Sequence, residues 1–199
     1  MKFFLKLSGL IDAMSERICK MVMWLVLAMT LLSSFNAMMR YTINYSSNAW
    51  LEMQWYIFAA VFMLMAGYGL LRNAHIRIDV LAGHFPHKVQ GWIDIICFFL
   101  FFTPMVVGIF YLSLPAVIDS IQIGEMSPSP GGLARWPVRV ILPLGLLLLF
   151  IQGISEVIKK IAYITGHLPD PYAHENEMTE EEKLAADLLA EQAKKGAQA

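Results

Sequence analysis

The sequence predicts an all-α integral membrane protein with four transmembrane helices. Hydrophobic residues make up 57% of the 199 residues and charged residues only 16%, against about 45–50% and about 25% in ordinary domains. The net charge of −1 gives no basic excess that would favour nucleic acid. The charges are also segregated, because no Asp, Glu, Lys or Arg occurs in 21–39, 53–71, 95–118 and 140–155. This composition excludes a disordered chain and disfavours a soluble enzyme.

The four uncharged stretches match the thickness of a bilayer. The first two contain 19 residues each, and a helix of that length covers about 28 Å of the ~30 Å hydrocarbon core. The 16-residue fourth stretch needs flanking charged side chains that reach the interface. Buried helices of a soluble bundle would carry a polar stripe, which these lack. We predict a transmembrane domain over 1–168 and an acidic cytoplasmic tail over 169–199, with spans at about 18–40, 50–72, 92–118 and 137–158.

An amphipathic segment precedes the first span. Phe3, Leu7, Leu10, Met14 and Ile18 recur at helical spacing, which predicts one apolar helix face. The polar residues off that face are Lys2, Lys6, Ser8 and Asp12. We predict an N-terminal interfacial helix on the inner leaflet. The alternative is that the segment extends the first span into the cytoplasm.

The placement of Lys and Arg predicts the orientation. With both termini in the cytoplasm, twelve of these residues lie on cytoplasmic segments and three on outer segments, as the positive-inside rule requires. The second loop is then cytoplasmic. The third loop, with repeated Pro and Gly at 126–132, is predicted to form a defined turn outside.

The C-terminal tail differs in composition from the rest of the chain. Residues 170–182 are strongly acidic, and Thr179 with Glu182 fits a capping box ahead of several leucines. We predict a short cytoplasmic tail helix there.

No motif defines a catalytic, metal or cofactor site. A haem bound between the spans would need its axial ligands inside the uncharged stretches. All five histidines lie outside these stretches. Cys19 and Cys97 cannot form a disulfide framework. We therefore predict no catalytic residue, no metal and no cofactor. The alternative is a four-span redox anchor or metal-dependent membrane enzyme that uses His75, His84 and His87.

The spans are suited to packing rather than transport. Ionisable residues at membrane depth mark ion and proton pathways, and the four stretches contain none. Small residues such as Gly67 and Gly145 favour close approach of helices. The sequence therefore favours a membrane scaffold over a pore.

Short motifs, taken in chain order, carry a family resemblance. They are Asn36, Arg40-Tyr41, Trp50, Glu52, Gly67-Tyr68 and His75-Ile76-Arg77-Ile78-Asp79-Val80-Leu81. Over roughly residues 15–160 the chain resembles the small membrane subunit of TRAP (tripartite ATP-independent periplasmic) transporters, the DctQ-like family. Met53 departs from the pattern, because many relatives carry a second acid there.

The resemblance implies an accessory role in sodium-driven uptake of an organic acid or similar solute. In such systems a periplasmic substrate-binding protein captures the solute, and a large elevator-type membrane subunit carries the substrate and sodium sites. The small subunit packs on the large one in the bacterial inner membrane. We therefore expect a non-catalytic scaffold subunit whose partners are those two proteins and membrane lipid, with no nucleic acid. The structural or interface candidates are Arg40, Trp50, Glu52, His75, Arg77 and Asp79, and we expect Arg40 and Glu52 to interact directly or through water.

Overall fold

The computed structural model describes residues 1–45, 47–72 and 85–168. Its elements are α1 (Lys2–Ile43), α2 (Asn48–Leu71), α3 (His87–Cys97), a π-helical turn (Phe98–Phe102), α4 (Thr103–Gln122) and α5 (Trp136–Ile164). Because α3, the π-helical turn and α4 are continuous, they form one helical segment over His87–Gln122. The described residues thus contain four helical segments long and apolar enough to cross a membrane. The predicted all-α class with four spans is confirmed.

Helix α1 merges the N-terminal segment with the first span. It contains 42 residues, which corresponds to about 63 Å, twice the ~30 Å hydrocarbon core. A separate interfacial helix is therefore not formed in the described residues, and the alternative of an extended first span describes the structure. The helix ends at Asn44, whose φ of 51° is left-handed. Asparagine adopts this conformation more readily than most residues.

The N-terminal half of α1 packs through a mixed face, whose buried residues are Ser8, Ile11, Ser15, Cys19 and Val22. Phe3 and Leu10 are 73% and 70% exposed, whereas Ser8 and Ser15 are buried. The first part of the predicted apolar stripe, with Phe3 and Leu10, thus points away from the other helices, whereas Met14 and Ile18 are half-buried. In lipid, apolar side chains gain little by turning inward, while polar groups need partners.

Helix α5 is the centre of the bundle, and it packs against α1, α2 and α4. Glycines permit the close contacts. A Cβ on Gly145 would lie 2.6 Å from the Cβ of Met63 in α2, and one on Gly153 would lie 2.5 Å from the Phe98 ring. Gly67 of α2 faces α5 at ordinary van der Waals distance. The predicted close approach of helices is confirmed at Gly145, whereas at Gly67 the spacing leaves room for a Cβ.

The third span contains a π-helical turn at Phe98–Phe102. There the backbone N–H of Thr103 donates to the carbonyl of Phe98, five residues back. Pro104 follows, and a proline cannot supply an N–H to the α-helical ladder. The turn directs the Phe98 ring against Phe150 of α5, with ring centroids 6.3 Å apart.

The loop between α4 and α5 forms the defined turn that its Pro and Gly content predicts. Met126 and Ala134 make an antiparallel bridge, and Gly131 has a left-handed φ of 71°. His84, the string at 75–81 and the tail at 169–199 lie outside the described residues. The domain boundary at 168 and the tail helix therefore stay predictions.

Candidate functional site

Glu52, in the first turns of α2, fixes the loop between α4 and α5. Its side chain is buried, with 7% relative exposure. Its Oε2 accepts a hydrogen bond of 2.7 Å from the backbone N–H of Leu133, and its Oε1 accepts one from the Ser127 hydroxyl. An added Cβ on Gly132 would lie 2.5 Å from the Cβ of Ser127 and 2.8 Å from Oε1 of Glu52, so this turn favours glycine. We call Glu52, Ser127 and Leu133 the loop clamp.

Two further side chains of α2 bond to the same loop. The Tyr56 hydroxyl donates to the Ala134 carbonyl at 3.1 Å. The Asn48 amide donates to the Pro130 carbonyl at 3.0 Å. Three positions of one helix thus contact the loop, which fixes it against α2.

Charged residues in this loop and in the first turn of α5 bond to groups of the same chain. Arg139 of α5 donates to Glu125 at 2.8 Å and to the Ala116 carbonyl at 3.2 Å. Arg135 lies 3.8 Å from the same Glu125 carboxylate. These contacts link the end of α4 to the beginning of α5.

The structure does not pair Arg40 with Glu52 directly, and their expected interaction, directly or through water, stays a prediction in its water-mediated form. Both Glu52 oxygens are occupied by the loop. Arg40 is exposed in the last turn of α1 and forms no hydrogen bond or ion pair within the described part of the chain. Trp50 instead contacts α1, with its ring edge-on to Phe35 at a centroid distance of 5.9 Å. An aromatic contact therefore connects the two helices here.

A second polar cluster joins α1 to α5 at the other end of α5. At its centre is Gln152, which is fully buried. Its Oε1 accepts a hydrogen bond of 2.7 Å from the Ser15 hydroxyl. Its amide nitrogen donates to Asp12 at 2.8 Å and to Glu156 at 3.3 Å. The Gln152 side chain therefore accepts a hydrogen bond through its oxygen and donates hydrogen bonds through its nitrogen.

Hydroxyl and ammonium groups complete this cluster. The hydroxyls of Ser8 and Ser155 share a hydrogen bond of 2.8 Å, and Ser155 lies 2.8 Å from Asp12. Lys159 lies 3.2 Å from the second Asp12 oxygen and also bonds to Glu156. We call the cluster the α1–α5 junction; its members are Ser8, Asp12, Ser15, Gln152, Ser155, Glu156 and Lys159.

Two ion pairs lie at the same end of the bundle. Lys160 of α5 pairs with Asp94 of α3, and Arg72, after α2, pairs with Glu16 of α1 at 3.1 Å. Arg72 also donates to the Tyr68 hydroxyl at 3.0 Å. This hydrogen bond, reinforced by the nearby Glu16 charge, raises the pKa of the Arg72 guanidinium. Each span thus has a polar link to a neighbour at this end.

Sequence reasoning identified Glu52 but not its partners in the loop, and it missed the α1–α5 junction. For the α1–α5 junction a signal was present, because Ser8, Asp12 and Ser15 recur at helical spacing opposite the apolar stripe. In a membrane that polar face is the one that needs partners. For Glu52 nothing local identifies the loop, since its partner Ser127 is 75 residues away.

Histidine and cysteine chemistry gains no support. His87 begins α3, while His75 and His84 lie outside the described residues. Among the residues that are described, no three His, Cys, Asp or Glu side chains could hold a metal ion together. Cys19 and Cys97 are not in disulfides. The arrangement consists of structural links between helices and a loop, and the redox-anchor or metal-enzyme alternative has no observation behind it.

Comparison with known proteins gives one family. The family model for tripartite ATP-independent periplasmic transporters, DctQ component, matches residues 29–162, which is more than half of the chain. No curated protein and no solved structure matches this chain. The matched region contains the loop clamp and Gln152, and it begins after the part of α1 that enters the junction. The chain therefore belongs to the DctQ family and is a multi-pass membrane component of a TRAP transporter.

Proposed function

We propose that this chain is a non-catalytic scaffold subunit that packs on the large, elevator-type subunit of the transporter. The observation that carries the proposal is the extent of exposed apolar surface on the spans. Phe62 of α2, Phe101 of the π-helical turn and Leu112 of α4 are 67%, 66% and 75% exposed. Surfaces of this kind suit lipid and the helices of a membrane partner.

The charged groups support the same role. Asp12, Glu52, Glu125 and Glu156 all bond to groups of their own chain. Ion and substrate pathways in membranes use charged side chains that line a cavity. Because these carboxylates act as internal links, we infer that the substrate and sodium ligands belong to the large subunit. Uptake is then sodium-driven and depends on a periplasmic binding protein that captures an organic acid or similar solute.

Reconstitution tests the scaffold role. Proteoliposomes containing the large subunit, the binding protein and this chain should take up solute under a sodium gradient. Omission of this chain should abolish or strongly reduce uptake without changing which solute the binding protein captures. Full transport without this chain, or a switch of substrate on altering it, contradicts the proposal.

The scaffold is proposed to lie in the inner membrane with both termini in the cytoplasm. The α1–α5 junction then faces the cytoplasm, and the loop clamp faces the periplasm. In a Cys19→Ser/Cys97→Ser background, Ser129→Cys should react with a membrane-impermeant thiol reagent in spheroplasts. Reaction only after the membrane is broken contradicts this orientation.

The polar string after α2 is proposed to support the cytoplasmic edge of the scaffold. It contains His75, Arg77 and Asp79. Replacing all three with alanine should impair assembly or uptake while solute capture by the binding protein stays unchanged. Full assembly and full uptake by this variant count against a docking role for the string.

A further inference from the structure

A crevice opens between α1 and α2, away from the two polar clusters. Its volume is about 390 Å³, within the ~300–1,000 Å³ range of clefts that enclose a small ligand. Its polar lining consists of Thr30, Ser33, Ser34 and Gln54, and Trp55 and Phe58 lie beside them. None of these residues belongs to the loop clamp or to the α1–α5 junction.

Three polar side chains of the crevice have no partner. Within the residues that the structure describes, the hydroxyls of Ser33 and Ser34 and the amide of Gln54 make no side-chain hydrogen bond. Thr30 beside them differs, because its hydroxyl donates to the Val26 carbonyl at 2.9 Å. The crevice between α1 and α2 therefore contains hydroxyl and amide groups that could hydrogen-bond to another molecule.

The two serines lie at membrane depth, whereas Gln54 is the second residue of the uncharged stretch 53–71 and lies near its end. Ser33 is six residues from the end of the uncharged stretch 21–39, which corresponds to about 9 Å along the helix. Polar groups in hydrocarbon are costly unless they are hydrogen-bonded. Lipid acyl chains offer neither donors nor acceptors. The occupant that suits this crevice is therefore a protein segment with hydrogen-bonding groups.

We propose that a transmembrane helix of the large TRAP subunit packs over the crevice and inserts side chains that hydrogen-bond to Ser33, Ser34 and Gln54. This proposal rests on the scaffold function proposed above. Trp55 and Phe58, which line the same crevice, are 69% and 59% exposed, so they offer aromatic surface of the kind that often carries binding energy at an interface. A second copy fits less well, because a two-fold pair sets the same concave surface against itself.

An affinity measurement tests the contact. The full chain and the large subunit are placed in lipid nanodiscs, and their association is followed by fluorescence energy transfer. The variant Ser33→Ala/Ser34→Ala/Gln54→Leu should associate roughly tenfold more weakly, since hydrogen bonds between membrane helices contribute modestly. The control is Ser113→Ala in α4, whose hydroxyl donates within its own helix to the Phe110 carbonyl at 2.7 Å. It should leave association unchanged.

Photo-crosslinking identifies the occupant without depending on the fold of the triple variant. Benzoylphenylalanine at position 54, with Ser33 and Ser34 intact, should form an adduct with the large subunit. Adducts with lipid alone or with a second copy of this chain overturn the proposal. So does unchanged affinity of the triple variant. If the unmodified chain fails to associate with the large subunit at all, the scaffold function itself is wrong.

Discussion

The loop clamp and the α1–α5 junction link the helices by different chemistry. At the loop clamp, one carboxylate of α2 accepts hydrogen bonds from a backbone N–H and a hydroxyl of a loop. At the junction, side chains of two helices bond to one another around a buried glutamine. The first arrangement holds a loop conformation. The second fixes the rotation and register of α1 against α5.

The difference teaches how a bundle with so much exposed apolar surface reaches one structure. Between helices in lipid the hydrophobic drive is weak, so packing and polar contacts select the pairing. The glycines of α5 allow close approach along its length, and polar groups near its two ends select the partner. We therefore expect changes at the junction to affect the whole bundle and changes at the clamp to stay local.

The largest effect is expected from Gln152→Leu. This substitution leaves the Ser15 hydroxyl without its partner and removes one of the partners of Asp12, which keeps Ser155 and Lys159. The free energy of unfolding should fall by about 1–3 kcal/mol. Thermal or denaturant unfolding in micelles measures it. The control is Gln122→Leu at the exposed end of α4, which should be near neutral. If both variants unfold alike, Gln152 does not select the pairing.

Glu52→Gln should act on the loop rather than on the bundle. The glutamine amide has one acceptor oxygen where the Glu52 carboxylate has two. It also lacks the negative charge that strengthens both hydrogen bonds. Hydrogen exchange at the Leu133 amide should become roughly tenfold faster, while the bundle's melting temperature changes little. Asp119→Asn, at an exposed position of α4, is the control. A large fall in melting temperature with unchanged exchange contradicts the local role.

Glu16→Gln should have a smaller effect than either. The Arg72–Glu16 pair is largely exposed, with side-chain exposures of 58% and 44%, and exposed ion pairs contribute little. We expect a change in melting temperature below roughly 2 °C that shrinks further with added salt. A large loss of stability here shows that the end of α2 matters more than the junction.

The smallest effect is expected from Arg40→Ala. Arg40 makes no contact with Glu52, so the effects of Arg40→Ala and Glu52→Gln on loop exchange should be additive. A double-mutant cycle measures this. Non-additive effects reveal a link between the two residues through water, which was part of the original expectation.

Part of the candidate site was readable from local sequence. Arg40, Trp50 and Glu52 were recognised from short motifs near the ends of α1 and α2, and family membership followed. The contacts of these three residues could not be predicted from local sequence. The expected Arg40 interaction assumed that neighbours across a short loop pair up, whereas the buried Glu52 carboxylate bonds to a turn that supplies two donors at once.

The sequence by itself determined the class of this protein and the number of its spans. Uncharged stretches of bilayer length are local properties, so they are visible without a structure. Tertiary structure decided which face of α1 packs and which residues Glu52 and Gln152 bond. Ser8 and Ser155 meet across 147 residues, and a contact so distant in the chain depends on the crossing of two helices. In lipid the crossing of α1 and α5 is set by close packing at glycines and by hydrogen bonds between polar side chains. The apolar stripe in the sequence does not predict either of these contacts.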